Sequence, residues 1–151
     1  MRILITGGAG YIGSTVASAC EEAGHEVVIL DDLSAGRSEF VKDRTFYEGD
    51  IADQPLLDRV FTEQGIDAVV HCAARIIVPE SVADPLGYYE NNVGKTVKLL
   101  QGMQHNGVNR ILFSSSASIY ATDDEFKVTE ESPLDPGSPY ATTKFMVEFI
   151  L

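Results

Sequence analysis

Arg2-Ile3-Leu4-Ile5-Thr6-Gly7-Gly8-Ala9-Gly10-Tyr11-Ile12-Gly13 joins a short apolar run, a glycine-rich turn and the start of an amphipathic segment. The apolar run is continuous rather than alternating, so it reads as a parallel strand buried on both faces. Beyond the turn, Ile12, Val16, Ala19, Cys20 and Ala23 recur at helical spacing, and Gly24 closes that helix. Gly7, Gly10 and Gly13 therefore stand where a strand hands over to a helix. Glycines there serve a tight turn, a close backbone approach to a bound group, and close packing of helix on strand. The unpaired N–H groups and partial positive charge of a helix N-terminus suit a pyrophosphate.

The same alternation runs on along the chain. Glu26 to Leu30 is a second strand, closed by Asp31-Asp32, and Thr45 to Glu48 is a third. Asp53 is an N-cap with Pro55 in the first turn of a helix whose apolar stripe is Leu56, Leu57, Val60 and Phe61. Ala68 to Cys72 is a fourth strand. A helix from about Asn92 carries Val93, Val97, Leu100 and Met103 and stops near Gly107. Arg110 to Ser114 is a fifth strand, and Tyr140 to Leu151 is helical, with Phe145, Met146, Phe149 and Ile150 apolar. Residues 31–44 and 121–139 are polar and read as loops. Strands alternating with helices predict an α/β fold, a doubly wound Rossmann-type parallel sheet flanked by helices.

Asp31 ends the second strand, where a carboxylate accepts hydrogen bonds from ribose hydroxyls and repels a 2′-phosphate, which favours NAD over NADP. Arg37 is the nearby cation that would soften that preference. Tyr140-Ala141-Thr142-Thr143-Lys144 places a phenol and an ammonium four apart, on one helix face. A cation one turn away favours the phenolate, which makes the oxygen a competent general base. Ser114-Ser115-Ser116 ends the fifth strand at the carboxyl edge of the sheet, where ligands of open α/β sheets sit. A hydroxyl there can reach a substrate oxygen and the tyrosine.

Composition narrows the partners. The chain has 151 residues, 44% apolar and 23% charged, enough for one globular core. Its formal net charge of −12 argues against a nucleic-acid partner, since phosphate backbones need clustered cations. No apolar run approaches the roughly 20 residues of a membrane span. The first residues do not read as a signal peptide, so a cytoplasmic location is expected. Cys20 and Cys72 form no pair or metal spacing and read as buried thiols. His25, His71 and His105 are isolated, with His71 structural inside a strand. The acids Asp123, Asp124, Glu125, Glu130 and Glu131 read as a solvated loop; no metal site is expected.

The whole set of motifs resembles the UDP-glucose 4-epimerase family of extended short-chain dehydrogenases. The resemblance runs through Gly7-Gly-Ala-Gly-Tyr-Ile-Gly13, Asp31-Asp32-Leu33, Gly49-Asp50-Ile51, Val70-His71-Cys72-Ala73-Ala74, Glu80-Ser81-Val82, Tyr88-Tyr89-Glu90-Asn91-Asn92-Val93, Phe113-Ser-Ser-Ser-Ala117 and Ser138-Pro139-Tyr140 to Lys144. It implies that Tyr11 and Ile12 contact the pyrophosphate of NAD. Asp31, Asp32, Leu33, Ser34, Ala35 and Gly36 surround the adenosine ribose, and Asp50 and Ile51 hold the adenine. Cys72, Ala73 and Ala74, with Arg75, line the cofactor after the fourth strand, with Asn91 and Ser114 beside it. Ser116 is the catalytic serine, Tyr140 the base, and Lys144 the residue that holds the nicotinamide ribose and tunes the tyrosine. Ser116 and Tyr140 touch the substrate, a UDP-sugar.

Related 4,6-dehydratases carry an acid pair where Ala117-Ser118 stand here, so the resemblance favours epimerisation by reversible oxidation over water elimination. Three positions depart from the family pattern. Ala121 replaces a glycine, Arg75-Ile76 stands where many members have a lysine, and Pro79 precedes Glu80-Ser81 where glycine is common. Family members continue for another domain's length, so the resemblance also implies that the sheet is C-terminally incomplete. The small sugar-binding domain would be missing, the fifth strand left at an open edge, and residues 1–151 inactive by themselves. It implies a homodimer built from the helices after Asn92 and from Tyr140. Two other readings share these motifs: a 4-epimerase of UDP-glucuronate, a UDP-pentose or a UDP-N-acetylhexosamine, and a non-catalytic NAD-binding regulator.

Overall fold

The computed structural model describes residues 1–121 and 127–151. The chain divides into two compact units, Met1–Ala74 with Lys95–Ser114, and Arg75–Gly94 with Ser115–Leu151.

The first unit holds the predicted parallel sheet. Its strands are β1 (Arg2–Thr6), β2 (Glu26–Asp31), β3 (Thr45–Glu48), β4 (Ala68–His71) and β5 (Ile111–Phe113), in the order β3-β2-β1-β4-β5. All four pairings are parallel; Ile5 stands opposite Ile29 and Val70. The sheet order reverses direction at β1, so β1 is where the two halves of the winding diverge. The helices of this unit are α1 (Tyr11–Glu22), α2 (Gln54–Gln64) and α5 (Lys95–His105).

Period-two burial puts one core on each face of the sheet. Ile3, Ile5, Val27, Ile29 and Val70 face Ala17 of α1, with Val16 and Cys20 beside it. Leu4, Val28, Leu30 and Val69 face Leu56, Leu57, Val60 and Phe61 of α2 and Leu99 and Met103 of α5. The α2 stripe and its cap match expectation: the Asp53 side chain accepts from Leu56 N at 3.1 Å, and Gly65 ends the helix in the left-handed region.

Two predicted stripes are corrected. In α1 the buried positions are Gly13 and Ala17, while Ile12 is 56% exposed and Ala19 also faces solvent. Close approach to the sheet selects the smallest residues for the inner face. In α5 and the turn before it, Met103 is buried as predicted, but the other buried positions are Asn92, Thr96 and Leu99, one residue before Val93, Val97 and Leu100. The observed set keeps helical spacing through the six-residue π-helical segment (Tyr89–Gly94) that precedes α5, with polar residues at two of its inner positions. Asn92 and Thr96 take buried places because each has hydrogen-bond partners there.

The second unit contains α3 (Val78–Ala83), α4 (Pro85–Tyr88), the π segment, a 3-10 turn (Ala117–Ile119) and α6 (Pro139–Ile150). The two short helices were not read from the sequence. Pro79 and Pro85 in their first turns, with the Asp84 carboxylate accepting from Gly87 N, are the signals that mark them. The buried side of α6 is Ala141, Thr143, Lys144 and Val147, not the predicted apolar set; Phe149 is 86% exposed. The helix turns Lys144 inward and its large apolar residues Met146, Phe149 and Ile150 outward. Glu130 and Glu131 are exposed as expected, whereas Asp123, Asp124 and Glu125 lie outside the described residues. Cys20 and Cys72 are in no disulfide, and both are half-buried rather than buried.

Candidate functional site

The glycine loop is fixed by contacts that forbid side chains. A Cβ on Gly13 would lie 2.2 Å from Gly7 O, and one on Gly7 would lie 2.6 Å from the Ala73 amide nitrogen; Gly7 also has φ +72°. The loop is thus wedged between the start of α1 and the end of β4. Gly10 is the N-cap of α1 and supplies no side-chain cap. In contrast, Asp53 and Ser138 cap α2 and α6 with their side chains. The first-turn amides of α1 are left to a ligand, and Tyr11 beside them is 83% exposed. A pyrophosphate fits this arrangement.

Asp31, expected to face a ribose, also holds the loop together. Its Oδ2 accepts from Ala9 N at 3.0 Å and its Oδ1 from Leu33 N at 2.8 Å, with the residue 8% exposed. The carboxylate therefore ties the glycine loop to the turn after β2, and each oxygen retains a lone pair for a hydroxyl. Arg37 N bonds Ala9 O at 2.9 Å, and a Cβ on Gly36 would meet Ala9, so residues 31–37 pack onto the loop. Asp32 is exposed. Burial pushes its carboxyl up, but hydrogen bonds from Ser34 and the Lys95 charge outweigh that and hold it below its ordinary value. Asp50 accepts from Ala52 N at 2.8 Å, whereas the Ile51 side chain goes into the core, so only its backbone is available to a ligand. Cys72 N bonds Thr6 O, and Ser114 N bonds His71 O, which continues the sheet one residue past β4 and β5. His71 is structural as read: its ring is buried between Thr6 Oγ1 at 2.6 Å and Thr96 Oγ1 at 2.8 Å.

In the second unit, Lys144 is 3% exposed with its Nζ 5.9 Å from the centroid of the Tyr140 ring. The four-residue spacing thus delivers the predicted pairing on one face of α6. Ser116 caps the 3-10 turn; its Oγ accepts from Ser118 N at 3.2 Å and lies 2.8 Å from Ser118 Oγ. The Ser115 hydroxyl, between the two serines singled out from the sequence, is buried and has no hydrogen-bond partner among the described residues. Replacing Ser115 by Ala is expected to leave Tm unchanged or raise stability by about 1 kcal/mol, because an unsatisfied polar atom is removed. A loss of more than 1 kcal/mol in thermal unfolding would count against this.

Asn92, not read from the sequence as a site residue, ties this unit together. Its Oδ1 accepts from Arg75 N at 2.8 Å and from Asn91 Nδ2 at 3.0 Å. Its Nδ2 donates to Arg75 O at 2.9 Å and to Thr143 Oγ1 at 3.0 Å, and Thr143 Oγ1 donates to Tyr140 O. One amide side chain therefore latches the segment after β4 onto the helix that carries Tyr140 and Lys144. Tyr88 Oη fastens the same segment at Ile77, accepting from its N–H and donating to its carbonyl. Between these clamps Ile76 is held out, 61% exposed. The Arg75 guanidinium is engaged with Asp84 at 3.0 Å and lies over the Tyr88 ring, so the cation at this departure from the family pattern is spent on its own neighbours. Asn92→Leu is expected to cost about 2–4 kcal/mol in thermal or denaturant unfolding, since it strands several polar groups at once. Asn92→Asp should recover only part, because a carboxylate cannot donate to Arg75 O or Thr143.

The model of the NAD dependent epimerase/dehydratase family matches residues 3–151.

The chain belongs to that family.

Among its curated relatives, it is 46% identical over 148 residues to a UDP-glucose 4-epimerase of Halalkalibacterium halodurans, covering 98% of this chain and 44% of the relative. It is 45% identical to the UDP-glucose 4-epimerase of Bacillus subtilis, covering 100% of this chain and 47% of that one. Among solved structures, UDP-glucose 4-epimerase from Stenotrophomonas maltophilia, with bound NAD and formylated UDP-arabinopyranose, superposes with a TM-score of 0.94 at 38% identity. That likeness covers 99% of this chain and 47% of that one. The UDP-Glc/GlcNAc 4-epimerase of Campylobacter jejuni gives 0.90 at 39% identity, with the same coverage. The chain thus spans a little under half the length of the relatives it matches. Among the described residues of this family member, no group of three or more His, Cys, Asp or Glu side chains is arranged to hold a metal.

Proposed function

We propose that this chain is the cofactor-binding part of an NAD-dependent nucleotide-sugar 4-epimerase that interconverts UDP-glucose and UDP-galactose. The observation that carries the proposal is Lys144, buried with its Nζ 5.9 Å from the Tyr140 ring on α6, an ammonium beside the proposed base. The relatives named UDP-glucose 4-epimerase, matched along nearly the whole chain, support the substrate.

When bound, NAD supplies a reversible hydride acceptor. Gly7, Gly10, Tyr11, Ile12 and Gly13 hold its pyrophosphate and Asp31 its ribose. Tyr140 takes the proton from the sugar 4-hydroxyl, Ser116 bridges the two oxygens, and Lys144 lies beside the tyrosine ring through that step. After the sugar presents its other face, Tyr140 returns the proton. Ala117-Ser118 follow Ser116 and offer no carboxylic acid to drive water from the sugar, in keeping with epimerisation. Residues 1–151 correspond in this reading to the cofactor half of the relatives. Met146, Phe149 and Ile150, exposed along α6, suit a homodimer contact, and Cys20 and Cys72, in no disulfide, suit a cytoplasmic location.

The test is incubation of a full-length protein that carries this chain with a panel of UDP-sugars, with product 4-epimers sought by NMR and no cofactor added. Conversion of UDP-galactose to UDP-glucose supports the assignment. A 4,6-dehydrated product, or epimerisation confined to UDP-glucuronate, a UDP-pentose or an acetylated amino sugar, would replace it.

A further inference from the structure

Lys95 has no part in the proposed reaction. It is the first residue of α5, and its Nζ donates to Asp50 Oδ2 at 2.5 Å. The other oxygen of Asp50 accepts from the Ala52 amide. Both oxygens of one partly exposed carboxylate are thus held, one by its own turn and one by a helix 45 residues further along the chain. A side chain with 40% exposure would otherwise rotate freely in solvent.

The position explains why that orientation matters. Gly49 N bonds Asp31 O, so Asp50 follows directly on the carboxyl end of β3, beside the β2 end that carries Asp31. The glycine loop stands over β1, the ribose acid over β2, and β3 is next in the sheet. A dinucleotide laid along this edge with its pyrophosphate at β1 and ribose at β2 reaches β3 with its base. Asp31, Asp32 and Asp50 make that edge acidic. Lys95 offsets part of this charge, and it contributes to the lowered Asp32 value described above.

We infer that Lys95 is the positioning residue of the adenine subsite, aiming the Asp50 carboxylate at the 6-amino group of the base. A carboxylate only accepts, so an aimed Asp50 selects a 6-amino purine over a 6-oxo purine. This rests on the dinucleotide reading of the site.

The experiment is a calorimetric titration of the protein, stripped of resident nucleotide, with NAD and with nicotinamide hypoxanthine dinucleotide. The unaltered protein is expected to prefer NAD. Lys95→Ala should weaken NAD about tenfold and remove most of the preference, while Lys95→Arg keeps most of both. Asp50→Ala should lose the same preference, and adding Lys95→Ala to it should cost nothing further. Asp50→Asn, nearly isosteric and able to donate, should shift the preference toward hypoxanthine, which keeps the test decisive if Lys95→Ala unfolds. An unchanged preference in Lys95→Ala, or an equal loss for both dinucleotides, overturns the inference. An unaltered protein that binds neither dinucleotide overturns the cofactor reading itself.

Discussion

Tyr140→Phe in a full-length protein that carries this chain is expected to lower turnover of UDP-galactose, the proposed substrate, by roughly 10²–10⁴-fold while leaving NAD bound. The substitution removes one oxygen from a half-buried ring and nothing else. Lys144, 3% exposed and facing that ring, keeps its place, as does the Ala141, Thr143 and Val147 face that packs α6. Cofactor contacts assigned to Gly7–Gly13 and Asp31 are untouched. The proton of the sugar hydroxyl then has no base within the constellation, because Ser116 is a hydroxyl already engaged with Ser118 and cannot hold the proton by itself. The check is a pair of measurements on the same preparation: initial rate by a coupled assay, and bound dinucleotide by extraction and absorbance. Near-parental rates would remove Tyr140 from the mechanism. Loss of both rate and bound NAD would make it a structural residue.

Gly13→Ala is expected to be the most damaging small change in the cofactor site. The added Cβ would lie 2.2 Å from Gly7 O and 2.8 Å from both Gly7 C and Gly8 Cα. All three are backbone atoms with no rotamer to yield. Gly7 in turn cannot retreat, because it is held 2.9 Å from Leu30 O through its own N–H and is backed by Cys72 and Ala73. Either α1 lifts off the sheet or the loop is displaced. The first loses the packing of Ala17 and Val16 on Ile3, Ile5 and Ile29; the second loses the phosphate cradle. A cost of about 3 kcal/mol is expected, a fall in Tm of roughly 10 °C, with dinucleotide affinity lost beyond detection. Gly137→Ala, where an added Cβ meets nothing within 4 Å and φ is not positive, is the matched control and should be neutral. A Gly13→Ala protein that melts and binds like its parent would show that the loop is looser than its contacts imply.

Some of the site was legible because its chemistry is local. A strand, three glycines and a helix are neighbours in the chain, so Gly7, Gly10 and Gly13 announce a phosphate cradle wherever the rest of the sheet goes. Tyr140 and Lys144 meet through one helical turn, a spacing set by backbone geometry alone. The Leu56, Leu57, Val60 and Phe61 stripe was legible for the same reason. The Val93, Val97 and Leu100 positions were misread because two inner places of that helix are polar, and the cause is not local: Asn92 is drawn inward by Arg75 and Thr143, 17 and 51 residues away. An asparagine on a helix carries no signal of that kind in the sequence. Lys95 was passed over likewise, since its meaning lies in Asp50.

What the sequence determined by itself is the parallel sheet, the place where it turns, and the identity of the groups that can move a proton. Those follow from periodicity, glycine sterics and i, i+4 spacing, all interactions within one element or one turn. Tertiary structure alone decided which polar residues are structural and which are free to act. Asp31, proposed as a ribose acceptor, proves to be a tie between two loops, and Arg75 spends its charge on Asp84. A side chain's role depends on its hydrogen-bond partners and exposure, and those are set by residues that only the folded chain brings within about 3 Å.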